Sequence, residues 1–116
     1  MDIKLTFDGD EPVQSAVAFK SFVDEHRLSG IESLEVEQEP GKPGDQGIGK
    51  FLGSIITSIT GSSETVKGLV SVISKFLELF DGRLIMEDGK GGKVVIPGGK
   101  KLSADQIESI AINFIK

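Results

Sequence analysis

Apolar and polar residues alternate at the start of the chain and then settle into a longer period. Over 2–7, Ile3, Leu5 and Phe7 take one side and Lys4 and Thr6 the other, which predicts a half-buried strand. After the turn Asp8-Gly9-Asp10, the residues Val13, Ala16, Val17, Phe19, Phe22 and Val23 follow helical spacing. Pro12 suits the first turn of that helix, and Gly30 suits a left-handed cap near Leu28-Ser29-Gly30. Over 31–39, Leu34 and Val36 alternate with Glu35 and Glu37, which predicts a second strand with an acidic face. Strand, helix and strand at this spacing suggest a parallel crossover.

The longest apolar pattern runs over 47–80. Ile48, Phe51, Leu52, Ile55, Ile56 and Ile59 form one stripe at i, i+3, i+4, i+7 spacing. Val66, Leu69, Val70, Ile73, Phe76, Leu77 and Phe80 form another. The pattern predicts a helical hairpin joined at Gly61-Ser62-Ser63 and closed by Asp81-Gly82, with a Pro- and Gly-rich loop over 40–47 before it. Two short β-rich runs come next, Arg83 to Glu87 and Lys93 to Pro97, around the turn Asp88-Gly89-Lys90-Gly91-Gly92. In the terminal helix, Ser103 and Gln106 have capping-box spacing, Leu102 can staple against Ile107, and Ile107, Ile110, Ala111 and Phe114 supply the stripe.

The expected fold is therefore α+β, one domain over 1–116 in the order β-α-β-α-α-β-β-α. A single mixed four-stranded sheet would carry its helices mainly on one face. The other face would display Lys4, Thr6, Glu35 and Glu37, with part of Leu84, Ile85, Val94 and Val95.

Composition narrows the chemistry. The chain has no cysteine and one histidine, which excludes disulfides, thiolate metal sites and histidine-rich metal sites. The opening MDIKLTF has neither the basic region nor the apolar run of a signal peptide, and no apolar stretch is long enough to span a membrane. A cytoplasmic setting is the expectation. The net charge of −5 is uneven: 11 acidic against 4 basic residues through Asp45, then 7 against 9. The acidic front half would repel phosphates and argues against nucleic acid as a partner.

Several motifs suggest function and are outweighed by plainer readings. Gly44 to Lys50 satisfies G-x-x-x-x-G-K before a predicted helix, but Phe51 stands where a P-loop needs a magnesium-binding hydroxyl. His26, among Asp24, Glu25 and Arg27, reads as a solvated residue at a helix end. Glu35, Glu37 and Glu39 read as a solvated strand face. No catalytic, metal or cofactor residue is assigned, so the chain is not expected to be an enzyme, and neither a cofactor nor a small-molecule ligand is expected. The outer flank of the first 47–80 stripe is lightly polar rather than charged, which favours a covered surface. The candidate partner-contact residues are Ser54, Thr57, Ser58, Ile85 and Val95. Self-association is left open, and a membrane-engaging hairpin over 47–80 is the alternative function.

The chain resembles the bacterial effector-associated constant component family. The resemblance rests on the first strand with Asp8-Gly9-Asp10, the short helix and acidic strand, and Pro40-Gly41-Lys42-Pro43-Gly44. It extends through the glycine-bearing apolar pair, Asp81-Gly82-Arg83, the glycine hairpin and the final helix. The resemblance implies a noncatalytic adaptor or regulatory interaction domain in a bacterial conflict or immune-type system. Its expected partner is a protein encoded nearby, an effector peptidase or a nucleotide-dependent switch protein. The matched positions are turn and packing residues, so no catalytic role is carried over.

Overall fold

The computed structural model describes residues 1–38 and 51–115, with the backbone alone at 51 and 52. In chain order the elements are β1 (Asp2–Gly9), α1 (Pro12–His26), β2 (Ile31–Gln38), β3 (Phe51–Ile59), α2 (Ser63–Leu79), β4 (Gly82–Glu87), β5 (Lys93–Pro97) and α3 (Ala104–Ile115). The class is α+β, as expected. The count and order differ: among the described residues, five strands and three helices replace four and four, and every pairing in the sheet β2-β3-β1-β4-β5 is antiparallel.

One segment accounts for the difference. Residues 51–59, expected to form the first arm of a helical hairpin, are strand β3, hydrogen-bonded between β2 and β1. An apolar spacing of four residues fits both periods, so Ile55 and Ile59 share a face in a helix and in a strand alike. Local preference breaks the tie. Ile55, Ile56, Thr57, Ile59 and Thr60 are β-branched, and such side chains lose rotamer freedom in a helix and pack well on a pleated surface. β1 and β2 both run antiparallel to β3 and so run parallel to each other. The expected parallel relation holds in direction, with β3 inserted between the two strands.

The helices cover one face. Ile3, Leu5 and Phe7 of β1, Ile55 and Ile59 of β3, Leu84 and Met86 of β4 and Ile96 of β5 are buried beneath them. At about 1.5–3 kcal/mol for each large apolar side chain fully buried, this layer dominates the favourable side of folding. The second expected stripe is correct: Val66, Leu69, Val70, Ile73 and Leu77 are buried on α2. Val72 and Ser74 are buried as well, because α2 touches both α1 and α3. Phe7 centres an aromatic cluster, its ring 5.4 Å from Phe19, 5.6 Å from Phe76 and 5.6 Å from Phe80. Tilted and edge-to-face geometries let the ring quadrupoles attract.

Helix ends show which local signals held. Ser103 N–H donates to Gln106 Oε1 at 2.9 Å, and Gln106 N–H donates to Ser103 Oγ at 3.2 Å, the reciprocal pair of a capping box. Ser62 caps α2 by accepting from Thr65 N–H at 3.2 Å. Two glycine assignments move. α1 ends earlier than expected, with Arg27 rather than Gly30 as the left-handed cap (φ 48°, ψ 52°). Gly82 does not cap α2, which ends through extended Phe80; it opens β4, where a Cβ would lie 2.6 Å from the Asp8 carbonyl oxygen. The glycine turn between β4 and β5 is as expected, with Gly89 and Gly91 at positive φ.

Candidate functional site

The strand registers place a second set of side chains on the face that the three helices leave open. One cross-strand row runs Glu35, Ile56, Lys4, Glu87 and Lys93; the next runs Ser54, Thr6, Ile85 and Val95. Ser58 lies on the same face, paired with Asp2 on one side and Ser33 on the other. Alternation along each pleated strand produces this division.

Two ion pairs lie on the face. Lys4 Nζ lies 3.6 Å from Glu37 Oε1, reaching past Ile56, and Arg83 Nη2 donates to Asp8 Oδ2. Ion pairs this exposed contribute about 0–1 kcal/mol each, so they shape the surface more than they hold the fold. Ile85, half-buried, and Val95, 42 % exposed, are apolar cross-strand neighbours, and Ile56, 43 % exposed, stands two strands from Ile85 between Glu35 and Lys4. Thr6 and Ser54 continue the Ile85–Val95 row across β1 and β3, and Ser58 lies one row beyond Ile56.

Four of the five expected contact residues, Ser54, Ser58, Ile85 and Val95, share this face. Thr57 does not. It points toward the helices, is fully buried, and its Oγ1 donates to the Ser33 carbonyl oxygen at 2.8 Å. Reading 51–59 as a helix placed Ser54, Thr57 and Ser58 on one flank; a strand separates Thr57 from the other two. Ser54 itself is only 4 % exposed and offers little contact area. The residue missed was Ile56, counted as core under the helical period and outward-facing under the strand period. The β-branched run Ile55-Ile56-Thr57 was the available signal.

Gly44 to Lys50, Glu39 and the 40–47 loop lie outside the described residues. The chain enters strand β3 directly after Lys50, so the helix N-terminus that a phosphate loop would use is not next in sequence. His26 is exposed; its Nδ1 lies 2.7 Å from the Phe22 carbonyl oxygen, a contact in which the ring nitrogen donates. Among the described residues, no group of three His, Cys, Asp or Glu side chains could hold a metal ion. None of the described helices is long and apolar enough to cross a membrane.

Asp88 is the one carboxylate with a clear perturbation among the described residues. Backbone N–H groups of Lys90, at 2.7 Å, and Gly92, at 2.9 Å, donate to its Oδ1 and hold the carboxyl below its ordinary range. The group shapes the β4–β5 turn and has no catalytic partner beside it among the described residues. No family model matches the chain, and neither a curated protein nor a solved structure is similar to it.

Proposed function

We propose that the chain is a noncatalytic adaptor or regulatory interaction domain that binds a protein partner through the open face of its sheet. The carrying observation is the one-sided cover. The described helices all lie on one face, and the other exposes the neighbours Ile85 and Val95, with Ile56 two strands from Ile85, in a surface that also holds the Lys4–Glu37 and Arg83–Asp8 ion pairs. An apolar centre with a polar rim is the usual anatomy of a protein-binding patch. The likeness to the effector-associated constant component family extends the proposal. The partner would be a nearby-encoded effector peptidase or nucleotide-dependent switch protein of a bacterial conflict system, met in the cytoplasm. The rival membrane-engaging hairpin has lost its element, because 51–59 is an inner strand of the sheet and not a helix.

Co-purification from the native host, using the full chain and an Ile85→Lys/Val95→Lys variant, tests the proposal. The expected result is a stoichiometric complex with the wild-type chain that is lost in the variant while the circular dichroism stays unchanged. A complex indifferent to both substitutions, or no complex, would refute it.

A further inference from the structure

Three aspartates are followed directly by glycine: Asp8-Gly9, Asp81-Gly82 and Asp88-Gly89. Such a step rearranges without an enzyme. The glycine nitrogen attacks the side-chain Cγ of the aspartate, a water leaves, and a succinimide ring forms. Water then opens the ring at either carbonyl. One opening restores aspartate; the other gives isoaspartate, in which the main chain runs through the former side chain. Glycine permits the attack because it has no Cβ to hinder the approach. The reaction also needs a carboxyl that takes up a proton, a side chain free to turn onto the backbone, and a glycine N–H not held in a hydrogen bond.

The three steps differ on those requirements. Asp8 lies within β1, its backbone paired with Arg83 and its carboxylate held by the Arg83 guanidinium. Asp88 commits its Oδ1 to the N–H groups of Lys90 and Gly92, which favours the ionised and unreactive form of the carboxyl. Asp81 is exposed at the bend between α2 and β4, and its carboxyl makes neither a hydrogen bond nor an ion pair with a described residue. The Gly82 N–H also donates to no described residue. Met1 and Ile59 exchange both of their backbone hydrogen bonds, so the even residues of β1 bond to β4, and Gly9 and Gly82 oppose each other without bonding. On its other side Gly82 accepts from the Gly98 N–H at 2.8 Å, and the return bond is not made. We infer that Asp81 is the chain's site of spontaneous isoaspartate formation. The surroundings would register the change. A Cβ on Gly82 would lie 2.6 Å from the Asp8 carbonyl oxygen and 2.9 Å from the Phe80 ring, which leaves little slack for the methylene that isoaspartate adds to the main chain. Conversion therefore shifts Phe80 against the Phe7 ring or parts the adjoining ends of β1 and β4.

The test is prolonged incubation of the full chain near neutral pH, read by peptide mapping. Methyl transfer from S-adenosylmethionine by an isoaspartyl methyltransferase labels the new carboxyl independently. Isoaspartate is expected at Asp81 in excess of Asp8 and Asp88 together, with a succinimide lighter by the lost water at the same position. Asp81→Glu should lose most of the methyl label, and Asp88→Glu should keep it. In urea, where only the local sequence acts, the three steps should convert at similar rates, because the same glycine follows each aspartate. Conversion led by Asp8 or Asp88 in the folded chain would overturn the inference. So would a folded chain that accumulates no isoaspartate, or a preference for Asp81 that persists unchanged in urea.

Discussion

Gly53 faces Pro12 so closely that a Cβ on Gly53 would lie 2.3 Å from the proline Cβ. The contact seats the first turn of α1 directly on β3, the strand that joins β2 to the rest of the sheet. A glycine is needed here for space and not for backbone conformation. Gly53→Ala is expected to destabilise the fold by about 1–3 kcal/mol, the ordinary cost of overpacking a close contact. Urea unfolding measures it directly, and an unchanged midpoint would contradict the seating of α1.

Thr57 and Ser58 are neighbours in sequence on opposite faces of the sheet. Thr57→Val removes the hydroxyl that satisfies the Ser33 carbonyl. It should cost about 1 kcal/mol in denaturant unfolding, because the fold loses a part-buried hydrogen bond made by a buried hydroxyl. Ser58→Ala should stay within about 0.5 kcal/mol of wild type, as surface changes generally do. Equal effects would mean that the two residues are not divided between faces.

The β4–β5 turn carries a pH dependence of definite sign. The folded pKa of Asp88 is lowered, chiefly by the Lys90 and Gly92 backbone N–H groups. Its stabilisation is therefore present above the unfolded value, about 3.9 for an aspartate, and is lost as pH falls through the folded value. The amide resonances of Lys90 and Gly92 should titrate together with a midpoint below about 3.9. A midpoint at or above that value would show that the two hydrogen bonds do not favour the charged carboxylate.

How far the sequence could be read depended on which periods it contained. β1, β2, β4 and β5 were legible because Ile3-Leu5-Phe7, Leu34-Val36 and the glycine turn at 88–92 each fit one pattern only. The α3 cap was legible for a similar reason, since Ser103 and Gln106 form a local motif that tertiary contacts have no cause to override. β3 was not, because Ile55 and Ile59 satisfy both a helix and a strand, and the decision came from pairing with β1 and β2. That error carried into the candidate site: it put Thr57 on the surface and hid Ile56. Ile85 and Val95 survived it because their strands were read correctly.

Selective methyl labelling tests the central claim most directly. With the full chain labelled at Ile and Val methyl groups and mixed with its co-purified partner, the account predicts large shifts at Ile56, Ile85 and Val95. Methyl groups of the buried core, such as those of Ile73 on α2 and Ile96 on β5, should move little. A stoichiometric complex that leaves Ile56, Ile85 and Val95 unperturbed would contradict the open face as the partner-binding surface.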